Sequence, residues 1–559
     1  MRCGLGGWAA VWGAAAALMC GAALAGTAPE AADRILPGQT VLVVGLRRPS
    51  QFWAALRGSE LFRAVEAEPS ANSWLQFGIT AVTGTAQSQA GLKLGDFARD
   101  YARAASFAVV DLPAEGGQMP AVIVIEPPDK APDLRALFTQ TIEPALKERN
   151  PGITITSREA AGQAVTRVQQ VEGEVPLSYF FRQNAVVLGR GPAIDRITQG
   201  QAREQLADVE GHRRCREAVA VDVGTEVHVN VKRLVNASEE GLRPARGAWP
   251  GLAASGLLSV ERVAASSRIE GGRFQDKLYA STPNGRTGLL RLLDTAAAKA
   301  DAAALPGWAA VLPVETAAVV GLRLRDGTEL WEKLRQIADD TNGDWVADER
   351  AIRVGSAISL QREVVEALGG DLFVAWLRDG LVLGAQIRDP QRLQASLHEC
   401  MLSQPAWGPG AQRETKLRKG AEVSIVTAPG KGPRVAYAVV SNHLLVASAP
   451  ETVYAVLDAD RSLAQEELFA KAYRELAREG ALVAYLDPSK LVAAMSAEEK
   501  RRFDVTAAAV LAKLSPAWLC LWTEPGAIRG RGSSSVGATT CGVLVIAWTK
   551  LFDTGKAER

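Results

Sequence analysis

The sequence predicts an α+β protein of two tandem homologous domains, each with a mainly antiparallel sheet packed by helices. Three observations carry that expectation. First, Leu36-Pro37-Gly38-Gln39-Thr40-Val41-Leu42-Val43-Val44-Gly45-Leu46-Arg47 returns as Leu312-Pro313-Val314-Glu315-Thr316-Ala317-Ala318-Val319-Val320-Gly321-Leu322-Arg323, with eight of twelve positions identical at an offset of 276 residues. Second, strand-like segments follow one another across short turns, which means antiparallel pairing. Third, helical patterns fall between runs of strands rather than after every strand, which argues against a doubly wound parallel sheet.

The elements follow in order. Each repeat opens on a strand and continues into a helical stretch with one Trp and a Leu-Arg pair, Trp53 with Leu56-Arg57 and Trp331 with Leu334-Arg335. Both Trp are expected to be buried, each packing its helix on its own sheet. Strand-like Ala121–Ile125 leads through prolines into Leu134, Leu137, Phe138, Ile142 and Leu146, an apolar series with a helical period. Leu381–Leu383 and Ile387 lead likewise through Asp389-Pro390 into Leu393, Leu397 and Met401. Equivalent helices are expected near 133–147 and 391–402. Tyr179–Leu188 matches Tyr437–Val446, with Asn184 and Asn442 where a tight hairpin needs positive φ. Pro192 and Pro450 then open helices, where a missing N–H costs nothing. Gly271-Gly272 marks a further hairpin, and the Ala-rich stretch 295–304 is the expected junction. A repeat this long is a domain duplication, not a solenoid of short units. The expected boundaries are 1–25 for a signal peptide, 26–305 for the first repeat domain and 306–559 for the second.

Arg2 precedes an apolar stretch from Trp8 to Leu24, and Ala23-Leu24-Ala25 offers a small-x-small site. That pattern is a secretory signal with cleavage after Ala25, so the chain is expected in the periplasm or cell envelope. Leu18-Met19 ahead of Cys20 fits a lipid-acceptor signal poorly. No segment of the mature chain is long enough to read as a transmembrane helix. Near-balanced charge, 63 Lys and Arg against 62 Asp and Glu, without long single-sign runs, argues against a nucleic-acid partner. In an exported chain Cys520 and Cys541 can form a disulfide; the competing reading is four small buried thiols.

No motif of chemistry is complete in the sequence. Gly189-x-Gly191 precedes a helix, but Ile194 stands where a dinucleotide fingerprint needs its third glycine. His398-Glu399 opens like a zinc-protease helix, but Leu402 occupies the second His position, so His398 is expected to face solvent. His212-Arg213-Arg214 reads as a solvated helix face. The four His, at 212, 228, 398 and 443, show no ligand spacing. No catalytic, cofactor-binding or metal residue is therefore assigned, and no cofactor is expected.

The Leu-Pro-x-x-Thr opening with its strand and helix, and the Tyr…Asn…Pro strand-turn-strand-helix, resemble a family of exported bacterial proteins classed as a domain of unknown function. The resemblance covers most of both halves and brings no catalytic residues with it. The expectation is a non-catalytic envelope protein acting as a binding or scaffold module. The alternatives are an extracytoplasmic hydrolase with a non-contiguous site and a carrier of an apolar ligand.

Overall fold

The computed structural model describes residues 31–90, 92–112, 119–129, 133–169, 176–190, 192–199, 204–241, 255–295, 305–323, 327–340, 359–402, 410–429, 434–476, 480–495 and 505–537. Ala25 and Cys541 lie outside them. The fold is α+β, and every strand pairing described below is antiparallel. The chain divides into two compact units, Met1–Pro244 with Val260–Thr282 and Ser534–Arg559, and Ala245–Ser259 with Pro283–Ser533.

In the first unit β1 (Leu42–Arg47) is central. On one side lie β2 (Ala104–Val109), β3 (Ala121–Glu126), β7 (Ala185–Arg190), β6 (Leu177–Arg182), β5 (Gln163–Gln169) and β4 (Thr154–Ala160), in that order outward. On the other side lie β8 (Gly224–Asn230), β9 (Arg262–Glu270) and β10 (Arg273–Ser281). The strands alternate between two covered faces. Val122 and Val124 join Val43, Ala108, Phe180 and Val187 beneath helices Ala31–Ile35 and Pro192–Gln199. Ile123 and Ile125 point the other way, into a cluster with Phe97 of helix Leu94–Asp100 and with Leu134, Phe138 and Ile142. That last helix is continuous over 134–149 but widens to a π-segment at Leu137–Ile142. Pro144, with no N–H to donate, sits just beyond the widened turn.

In the second unit β11 (Ala318–Arg323) is central. Outward on one side run β12 (Leu368–Leu377), β13 (Gly380–Ile387), β17 (His443–Ala447), β16 (Arg434–Val440), β15 (Ala421–Thr427) and β14 (Gln412–Arg418). On the other run β18 (Leu482–Leu486), β19 (Ala517–Glu524) and β20 (Ala527–Ser534). One face packs an aromatic core of Trp308, Phe373, Phe469, Tyr485 and Trp518.

Local devices recur between the units. Thr40 donates its hydroxyl to the Pro37 carbonyl at 2.6 Å, and Thr316 to that of Pro313 at 2.6 Å. Each Thr is buried, and its backbone N–H closes on the same carbonyl, so Leu-Pro-x-x-Thr is a locked turn that feeds a strand. Asn184 and Asn442 hold φ of 63° and 64° in their hairpins. Trp331 is buried as expected, whereas Trp53 is only half-buried. Phe52 takes the core position, and Trp53 stands edge-on to Phe62 with the Arg57 guanidinium over its ring.

Candidate functional site

Among the described residues, three places stand out for side chains that could act. The first is a buried ionic cluster in the first unit. Alternation along β8 puts Glu226 and His228 on one face, beside Gly45 and Val43 of β1. Arg47 closes a two-point pair on Glu226, Nε to Oε1 and Nη2 to Oε2, both at 3.0 Å. Helix Glu210–Val219 lies over this face and lowers His212, Cys215 and Val219 onto it at helical spacing. His212 Nε2 meets Asp33 Oδ1 at 3.1 Å, Arg216 pairs with the other Asp33 oxygen, and the His212 and His228 ring centroids are 4.9 Å apart.

The electrostatics follow from that packing. Burial alone would raise Asp33, but the His212 hydrogen bond and the charges of His212 and Arg216 outweigh it and hold the carboxyl at about 2. Burial pushes the His212 imidazole below its ordinary value, the Asp33 hydrogen bond opposing. Glu226 is lowered although burial opposes it, because His228 and Arg47 favour its charged form. Burial drives the Cys215 thiol up to about 12, so it carries no thiolate at neutral pH. An Asp–His pair is the beginning of acid–base machinery. Here His212, Asp33 and Glu226 are spent on neighbours, and His212 keeps only 2% of its surface exposed, while Nδ1 of the buried His228 has no hydrogen-bond partner among the described residues. The cluster holds charge inside the fold.

The sequence missed this cluster. It reads His212 as part of a solvated face, but only Arg213 and Arg214 face water. His398 also departs from expectation. It turns its Nδ1 to the Tyr437 hydroxyl at 2.8 Å instead of facing solvent. The available signal was the pair of stripes: His212, Cys215, Arg216 and Val219 at i, i+3, i+4 and i+7, and Glu226 with His228 at i, i+2. Gly189 lies within β7. A Cβ there would come within 2.9 Å of Val122 and 3.1 Å of Ile194, so this glycine serves close helix packing. Cys520 is buried on β19. Its proposed partner Cys541 lies outside the described residues.

The second place is an open cleft of about 360 Å³ in the first unit, between Pro127, Pro128, Asp129 and Asp133 on one side and the β6–β7 turn on the other. Arg103 holds Asp129 at 3.0 Å, and the Arg135 guanidinium covers the Phe181 ring at 5.1 Å. Among the described residues no three His, Cys, Asp or Glu gather as metal ligands, and no helix is long and apolar enough to cross a membrane.

The third place is a sheet face of the second unit. Three rows of side chains cross β13, β12, β11, β18 and β19 in register. They read Leu383–Val374–Val320–Ala484–Leu519, Leu381–Trp376–Ala318–Leu486–Ala517 and Ala385–Leu372–Leu322–Leu482–Leu521. Every position is Ala, Val, Leu or Trp. Leu381 and Leu383 are each 53% exposed, Trp376 and Val320 each 45%. Val374 and Leu486 are exposed as well. In the first unit the corresponding row Ile123–Phe107–Val44–Val227 is also apolar, but its Ile123 and Phe107 are packed beneath Phe97 and Phe138.

No protein-family model matches the chain, and no curated protein matches it. Two solved structures are similar to part of it. "Structure of crystal form III of TP0453" is 9% identical, with 49% of this chain and 90% of that one covered, at a TM-score of 0.23. "Structure of crystal form IV of TP0453" is 9% identical, with 44% and 81% covered, at a TM-score of 0.22. Similarity of that size carries no argument about fold or function.

Proposed function

We propose that this is an exported, non-catalytic binding or scaffold protein of the cell envelope, a member of the uncharacterised exported family it resembles, built by duplication of one α+β domain. The observation that carries the binding reading is the apolar face of the second sheet. Contiguous open apolar surface of this kind is kept where something docks. The duplication reading is supported by the matching strand orders and by the paired Leu-Pro-x-x-Thr turns. The export reading rests on the N-terminal signal pattern.

The binding reading is tested by fractionating cells that export either the wild type or Trp376→Lys/Leu383→Lys. The wild type is expected in an envelope complex larger than the chain, and the variant at the size of the chain alone. A complex of unchanged size in the variant overturns docking through this face. The hydrolase alternative predicts turnover of model esters, glycosides or peptides by the purified chain; such turnover, abolished by Asp33→Asn or His212→Gln in a folded protein, would replace the scaffold reading.

A further inference from the structure

We infer that the open face of the second sheet seats a second copy of this chain, sheet against sheet across a two-fold axis. This rests on the docking reading above and names its partner. The six exposed side chains leave on the order of 500 Å² of apolar surface open, at the upper end of what monomers show. The half-buried Ala318, Leu372, Ala484, Leu482, Leu519 and Leu521 widen that area toward the roughly 800 Å² that each partner of a stable pair buries. Three straight rows of apolar side chains, aliphatic but for Trp376, resemble the inner face of a β-sandwich without its other half. Two such faces meet about 10 Å apart and interdigitate. A two-fold pairing closes both open faces at once, because the same patch serves on each partner.

The rim favours a protein copy over a lipid surface. Where the rows reach the β12–β13 hairpin and the start of β11, the exposed charges are Arg378, Asp379 and Glu315, of mixed sign. A mixed rim can pair with itself across a two-fold axis. A lipid-seeking face instead carries a basic collar beside its apolar side chains.

The test is sedimentation velocity on the whole exported chain, from submicromolar to about 50 μM. The wild type should pass from monomer to dimer within this range. Trp376→Lys/Leu383→Lys should weaken the dimer at least tenfold, while Trp376→Phe/Leu383→Ile should keep it. Val374→Thr/Leu383→Thr, which preserves strand-forming shape, serves as a second disruptive pair should the lysine variant fail to fold. Wild type that stays monomeric at the highest concentration overturns the inference, as does a dimer equally strong in the folded disruptive variants. Monomeric wild type that floats with phosphatidylcholine vesicles overturns it in favour of lipid. If the chain is monomeric yet the envelope complex still depends on Trp376 and Leu383, the self-association fails and the docking reading stands. If the complex ignores both residues, the docking reading fails on its own.

Discussion

Arg47 and Glu226 show how much one buried pair can decide. Each side chain keeps about 4% of its surface exposed, and the two charges meet at two points, one of them a hydrogen bond from Arg47 Nη2. Removing one partner leaves the other charge stranded in low dielectric. Arg47→Met should therefore destabilise the first unit by about 3–5 kcal/mol, whereas Arg47→Met/Glu226→Leu should recover most of the loss. Chemical denaturation of the two variants separates a stranded charge from lost packing. His212 gives the same neighbourhood a pH signature. Its folded value is depressed from the ordinary 6.5 by burial, so the folded state takes up its proton less readily than the unfolded chain. The stabilisation is complete above about 6.5 and is lost as pH falls through that value toward the lower folded one. His398 and His443, also lowered by burial, act in the same direction in the second unit. The reading is thus a difference: between pH 7.5 and 5.5 the wild-type denaturation midpoint should fall more steeply than that of His212→Gln. Equal slopes would remove His212 from the acid response.

At the scale of elements, legibility depended on whether a local rule decides the outcome. The Asn hairpins and the helices near 134–149 and 390–402 were readable, because positive φ and helical period are local demands; the Thr lock of the Leu-Pro-x-x-Thr turns was not read, although the repeated segment itself was. Faces were less readable. β8 alternates Glu226 and His228 with Thr225, Val227 and Val229, which reads as a strand with one wet side, yet a helix covers that side. β12 is apolar on both sides, which reads as a strand buried twice. Nothing within the strand tells that Phe373 and Ala375 are covered while Val374 and Trp376 are open, because the covering elements come from elsewhere in the chain. Helix Gly307–Val311 shows such an element at work. Its Trp308 lies so close to β11 that a Cβ on Gly321 would come within 2.5 Å of the indole nitrogen. Gly321→Ala should cost about 1–3 kcal/mol through overpacking. Gly45 holds the matching place on β1, and its nearest neighbour to an added Cβ is Ser106 at 3.8 Å, an ordinary contact. Gly45→Ala should be nearly neutral by the same denaturation measurement.

At the scale of the whole chain, the two units solve the same packing problem with opposite chemistry. Register relates the positions. Glu226 stands beside Gly45 as Val483 stands beside Gly321, and His228 beside Val43 as Tyr485 beside Val319. Ser106 and Phe373 share the next place, and Ser266 and Ala264 answer to Cys520 and Trp518. Helices Glu210–Val219 and Glu467–Leu476 each have ten residues and set His212 against Phe469 and Arg216 against Tyr473. Ala32 and Asp33 fall where Trp308 and Ala309 do. Even the first arginine is reused: Arg47 pairs with Glu226, while Arg323 donates to the Tyr473 hydroxyl and stacks over its ring at 5.7 Å. If one ancestral domain underlies both, the aromatic set should fit the first unit's backbone, and Gly45 is already small enough to admit an indole. The whole transplant is Ala32→Trp, Asp33→Ala, Ser106→Phe, His212→Phe, Arg216→Tyr, Glu226→Val, His228→Tyr, Ala264→Trp and Ser266→Cys. It should yield a cooperatively unfolding protein, since Asp33 leaves together with His212 and Arg216, and Arg47, which loses Glu226, gains the hydroxyl brought by Arg216→Tyr as Arg323 has that of Tyr473. Its first-unit stability should also lose the His212 part of the acid response between pH 7.5 and 5.5. Partial sets should fare worse than the full one, because a lone Trp at position 32 has no Phe at 212 to pack against. A full transplant that unfolds while the single Gly45→Ala is tolerated would mean that the two backbones match in strand order but not in the spacing of helix over sheet, and common descent would lose its physical support.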